Sequence, residues 1–154
     1  MANPLHTIVM KNRSVAADIV LPHIVYRSVS EACEWLTRVF GFTENYRYGD
    51  PVSGIQMYLG DATIMIAGPR EGTDSPATLG FSTQSLTIFV PDVDAHFAKA
   101  TQEGAITFEE PHLTVYGEWQ YGAIDLDGHR WLFSRHARDV NPAEWGATIA
   151  SPPR

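Results

Sequence analysis

The chain has 154 residues, 44% of them hydrophobic and 19% charged, which excludes a disordered tail and suffices for one buried core. Against 18 acidic side chains stand 11 lysines and arginines, a formal charge of −7 that argues against nucleic acid, whose phosphates need a basic field. A single cysteine, Cys33, excludes an internal disulfide or a multi-cysteine metal site. No apolar run approaches the roughly 20 residues that cross a bilayer. The stretch from Leu5 to Met10 is broken by His6 and Thr7 and does not read as a secretory signal. These features lead us to expect a soluble, cytoplasmic protein that binds neither nucleic acid nor membrane.

Residues before Val20 read as an added edge strand or a dimer arm. Leu21 to Tyr26 reads as a strand, and Ser30 to Phe40 as a helix with Cys33, Leu36 and Phe40 on one face, closed by Gly41. Strands follow at Thr43–Tyr48, Ile55–Leu59 and Ala62–Ala67. The same order then returns. Ser85 to Val90 reads as a strand, and Asp92 caps a helix with Val93, Phe97 and Ala100 as its apolar stripe, ended by Gly104. Three more strands are expected at Ile106–Glu109, Glu118–Leu126 and His129–Ser134. Beyond Arg138, Asn141 and Pro142 open a short helical turn that carries Glu144 and Trp145.

The fold class is therefore α+β, built as one domain from two βαβββ modules at about 20–68 and 85–136. A linker at 69–84 joins them, and a C-terminal extension occupies 137–154. Each module would form a curved mixed sheet of four strands with one helix on its outer face.

The segments "RVFGF" (Arg38 to Phe42), "VPDVDAHFAKATQEGA" (Val90 to Ala105) and "DLDGHRWLF" (Asp125 to Phe133), in this order and duplication, resemble the vicinal oxygen chelate superfamily. This is the fold of glyoxalases, bleomycin-resistance proteins and extradiol dioxygenases. The resemblance implies that one face of each sheet lines a small-molecule cleft and that the chain forms a homodimer. Strand alternation assigns Ile64, Ile66, Leu86, Ile88, Val90, Trp131 and Phe133 to the face under the helices. It assigns His23, Gln56, Tyr58, Met65, Phe89, Trp119, Tyr121, Asp125 and Arg130 to the cleft, as the candidate ligand-binding residues.

Metal-dependent members of that superfamily take one ligand from each of four strands. The matching positions here are Leu21, Met65, Ser85 and Leu132, none a usual ligand for zinc, nickel, iron or manganese. The expectation is thus no cofactor, with a divalent metal as the alternative. His23 is the one weak candidate for a general base. His96 is expected to face solvent or cap a contact, His129 to serve structure in its turn, and Cys33 to be an inert core thiol. Two functions follow. The first is metal-independent binding or sequestration of a hydrophobic or planar molecule, an antibiotic or a metabolite. The second is an enzyme, either a metal-dependent glyoxalase, lyase or dioxygenase type or a metal-free catalyst using His23.

Overall fold

The computed structural model of the chain describes residues 20–151, so the expected N-terminal arm lies outside the described residues. The first module runs β1 (His23–Val25), α1 (Val29–Trp35), a π-helical turn (Leu36–Phe40), β2 (Thr43–Tyr48), β3 (Gly54–Leu59) and β4 (Ala62–Ala67). The second runs β5 (Ser85–Phe89), α3 (Val93–Gln102), β6 (Ile106–Leu113), β7 (Glu118–Ile124) and β8 (Arg130–His136). Between them the linker carries a short helix, α2 (Pro76–Leu79), capped by the Ser75 side chain.

Local chemistry sets the helix ends. The Ser28 hydroxyl accepts from Glu31 N at the start of α1, and the Asp92 carboxylate accepts from Ala95 N at the start of α3. Gly41, at φ 81°, stops the first helix in the left-handed region that a side chain would oppose.

The sheets have the same order, β1-β4-β3-β2 and β5-β8-β7-β6. In each, the strand before the helix pairs parallel with the last strand of its module, and the other pairings are antiparallel. The repeat expected from the sequence is thus present in element order and in pairing. Differences are confined to ends: β1 is shorter than expected, and β6 continues past Glu109 to Leu113 through two register shifts.

One core cluster serves both modules. It joins Ile24, Leu36, Phe40, Phe42, Ile55, Met57, Ile64 and Ile66 of the first to Ile88, Tyr121, Ala123, Trp131 and Phe133 of the second. Phe40 and Phe42 pack edge-on against Trp131, with centroids 5.8 and 5.6 Å apart, and Phe40 also meets Phe133 at 4.8 Å. The modules therefore meet through their helix-bearing faces.

Trp145, in a 3₁₀ turn at Pro142–Trp145 capped by Asn141, lies against Tyr116 at 6.1 Å. Among the described residues no helix is long and apolar enough to cross a membrane.

Candidate functional site

Residues opposite one another on neighbouring strands share a face, so the register defines the face of each sheet that the resemblance makes a cleft. In the first sheet a row crosses His23, Met65, Gln56 and Tyr46, and the next holds Thr63 and Tyr58. In the second, one row crosses Phe89, Ser134, Gln120 and His112, and the next crosses Thr87, Leu132, Gly122 and Glu109. A third brings Ser85 beside Arg130. His23, Gln56, Tyr58, Met65, Phe89 and Arg130 thus lie where strand alternation assigns them.

Three candidates lie elsewhere. Tyr121 pairs with Phe133, and that register places both on the helix-bearing face. Its ring stacks on Phe133 at 5.4 Å, meets Phe97 of α3 edge-on at 5.2 Å, and is fully buried. Trp119, two residues away, donates its indole N–H to Asp94 of α3 at 3.0 Å. Asp125, 6% exposed, continues the same parity into the turn and accepts four hydrogen bonds. Its donors are the Tyr26 hydroxyl (2.6 Å), the Trp131 indole (3.0 Å), and the backbone N–H groups of Asp127 (3.0 Å) and His129 (2.9 Å). Burial pushes its carboxyl up, and the Tyr26 and Trp131 donors pull the other way. Trp119, Tyr121 and Asp125 therefore lie on the core side, opposite to the face that strand alternation assigns them, because alternation reads β7 one residue out of parity.

Of the two expectations for His96, solvent and a capped contact, the structure shows the second. The residue is half-buried, with its ring 4.1 Å from that of Phe133. Nε2 lies 2.8 Å from the Phe40 carbonyl, which can only accept, so Nε2 carries the proton. Nδ1 then accepts from the Tyr121 hydroxyl at 2.5 Å. Burial pushes the His96 pKa down and that of Tyr121 up. This histidine ties the end of the first helix to the second sheet. His129 is structural, as expected, its Nε2 donating to the Val25 carbonyl at 2.7 Å. Cys33 is buried on α1 beside Glu44, and desolvation pushes its thiol up, away from nucleophilic use.

The cleft face of the second sheet holds a pair that the sequence reading missed. The Arg130 guanidinium lies 3.9 Å over the Phe108 ring, a cation–π contact. Gly122 makes room for it, since a Cβ there would collide with the Phe108 ring. Beside them Gln120 donates to Glu109 at 2.9 Å and accepts from Ser134 (3.0 Å) and Tyr116 (3.2 Å). In the first sheet Gln56 accepts from Asn45 at 2.6 Å and donates toward Tyr46 Oη and Met65 Sδ. Each cleft face is thus polar at its centre with large side chains around it. Tyr58 and Phe89 remain 40% and 63% exposed. His23 is exposed on β1 and borders a cavity of about 310 Å³ with Leu79, Phe81 and His129.

The four positions that the resemblance assigns to metal ligands carry groups that do not suit a divalent metal: Leu21 and Leu132 offer hydrocarbon, Met65 a thioether and Ser85 a neutral hydroxyl, while the register sets His23 beside Met65 and Thr87 beside Leu132. Met65 Sδ is moreover taken up by Tyr46 and Gln56. Among the described residues no three of His, Cys, Asp and Glu come together as a metal-holding group.

The sequence profile of the Glyoxalase/Bleomycin resistance protein/Dioxygenase superfamily matches residues 17–133. An uncharacterised protein of Mycobacterium bovis is 27% identical over 141 residues, covering 84% of this chain and 91% of its own. Among solved structures, TioX of Micromonospora sp. ML1 superposes with a TM-score of 0.66 at 29% identity, over 78% of this chain and 99% of its own. A bleomycin resistance determinant encoded on the transposon Tn5 superposes with a TM-score of 0.61 at 17% identity, over 78% and 98%. The last of these is a likeness of fold.

Proposed function

Since the chain belongs to the glyoxalase/bleomycin resistance protein/dioxygenase superfamily, we propose that it binds and sequesters a hydrophobic or planar small molecule without a metal. The observation that carries this reading is the donor set: the four ligand positions hold Leu21, Met65, Ser85 and Leu132, while aromatic rings stand beside polar groups on the same sheet faces. A ligand lying on these faces would stack on Tyr58 and Phe89 and on the Phe108–Arg130 pair. Gln120, Glu109 and Ser134 would supply its polar anchors. Membership of a superfamily that includes bleomycin resistance proteins supports an antibiotic as the ligand class, with a metabolite as the other source.

The modules meet through their helix-bearing faces, so Tyr58 and Phe89 have a face free for a second copy. A homodimer that brings the first sheet of one protomer over the second sheet of its partner would close the cleft. The cytoplasm is the setting this reading assumes.

Calorimetric titration with a panel of planar aromatic antibiotics, in chelator-treated buffer, tests the reading. Stoichiometric binding is expected, weakened about tenfold by Phe89→Ala or Tyr58→Ala, with the ligand recovered unchanged by mass spectrometry. Binding that requires added zinc, nickel, manganese or ferrous iron would refute it, as would a chemically altered ligand.

A further inference from the structure

A second site stands at the far end of the first sheet, where the β1–α1 junction, the β2–β3 loop and the exit of β4 enclose a cavity of about 600 Å³. Its lining reverses the charge of the molecule. In a chain of formal charge −7, this cavity is lined by Arg27 and Arg70 and by no aspartate or glutamate. The cavity beside His23 includes Asp74, and one between Val115 and Trp145 includes Asp139 and Glu144. Ser28, Ser30, Ser53 and Tyr48 line the same space, with Val52 among the apolar residues between them; the Ser28 hydroxyl also caps α1 and that of Ser53 donates to the Tyr48 carbonyl.

The two arginines are presented differently. Arg27 is fixed: its Nε and Nη2 donate to Oδ1 of the buried Asp127 at 3.1 and 3.0 Å, and its backbone N–H donates to Oδ2 at 2.7 Å. That pairing offsets much of its charge but holds the guanidinium in one orientation and leaves Nη1 out of the pair. Arg70 is exposed, and its backbone is pinned in a turn by Thr73. A fixed guanidinium and an exposed one, which can only donate, stand here among hydroxyls that can donate or accept, a combination that suits an oxyanion. At about 600 Å³ the space is too large for an inorganic ion alone and falls within the range of small-molecule pockets.

We propose that this cavity binds a small organic oxyanion, a phosphate monoester or a carboxylate, with Arg27 as the fixed donor and Arg70 as the closing one. The cavity meets the face of the first sheet only at its end row, Tyr48 and Ala67, and shares no lining residue with Tyr58, Phe89, Phe108 or Arg130. Arg70 is the residue to change, because Arg27 also ties the modules together through Asp127.

Calorimetric titration with phenyl phosphate, benzoate and inorganic phosphate at low and at moderate salt provides the test. Saturable binding that weakens with salt is expected, tighter for phenyl phosphate or benzoate than for inorganic phosphate. Arg70→Ala should cost about tenfold in affinity, Arg70→Lys less, and Ser30→Glu should abolish binding, all three without change in Tm. Phe108→Ala, which alters the cleft face, should leave anion binding intact. Failure of all three anions to bind would overturn the proposal, as would unchanged affinity in Arg70→Ala. Loss of anion binding in Phe108→Ala would move the anion to the cleft and overturn it equally.

Discussion

Replacing Asp125 separates a core carboxylate from a ligand anchor. Asp125→Ala removes the acceptor of four donors, two of which, the Tyr26 hydroxyl and the Trp131 indole, belong to side chains with no exposure. Each buried donor left without a partner costs about 1–3 kcal/mol, so these two alone carry about 4 kcal/mol. That is a large part of the roughly 5–15 kcal/mol by which small domains are stable. Asp125→Asn should cost about half as much. Its carbonyl can still receive the Asp127 and His129 N–H groups, and its amide can donate to Tyr26 Oη, but the Trp131 indole loses its acceptor. Tyr26→Phe should cost only about 1 kcal/mol, since it removes a donor and leaves the carboxylate three others. Urea unfolding followed by circular dichroism gives the three values, with the m-value checking that the transition stays two-state. An Asp125→Ala protein within about 1 kcal/mol of wild type, or one less perturbed than Tyr26→Phe, would refute the assignment of Asp125 to structure.

Two further outcomes follow from the same geometry. Burial lowers the pKa of His96 in the folded chain, so the unfolded state binds the proton more readily. The stability His96 contributes is full above its ordinary pKa of about 6.5 and is lost as pH falls below that value toward the lowered one. Urea midpoints measured across about pH 5–8 should decline on the acid side, and His96→Gln should flatten that decline; an unchanged acid limb in the variant would remove His96 as its source. Gly122→Ala should drive the Phe108 ring from under Arg130, costing about 1–3 kcal/mol in urea unfolding and weakening ligand binding; wild-type values for both would refute the steric reading.

Most of the architecture was legible because its signals are local and occur twice. Ser28 and Asp92 are side chains that cap helices, Gly41 and Gly104 take positive φ, and both modules keep one strand order. The side of each residue was legible on β1, β4, β5 and β8, where the core side shows a clean apolar alternation, as in Ile64–Ile66 and Trp131–Phe133. It failed on β7, because Gln120, Tyr121, Gly122 and Ala123 are all buried and no alternation separates the two sides. Pairing of Tyr121 with Phe133 fixes the face, and pairing is a long-range fact. On β6 the register shifts around Glu109 break the period of two, which hid Phe108. His96 escaped notice because its partners, Phe40 and Tyr121, come from distant parts of the chain.

The ties between the modules have a consequence for how the chain reaches its final form. Tyr26 waits for Asp125 and Arg27 for Asp127, partners 99 and 100 positions further on, while Phe40 and Phe42 wait for Trp131 and Phe133. During synthesis from the N-terminal side, Phe40 can meet Trp35 and its own module early, but the faces of Phe40 and Phe42 that take Trp131 and Phe133 stay uncovered until β8 is made. Loops this long close slowly, because their entropy is spent before any contact rewards it. A nascent chain stalled ahead of residue 131 would thus present Phe40, Phe42 and an unbonded Tyr26 to whatever surrounds it, the kind of apolar display that chaperones recognise. The second copy of the duplicated unit serves the first as its cover, and the last strand to be made completes the first helix.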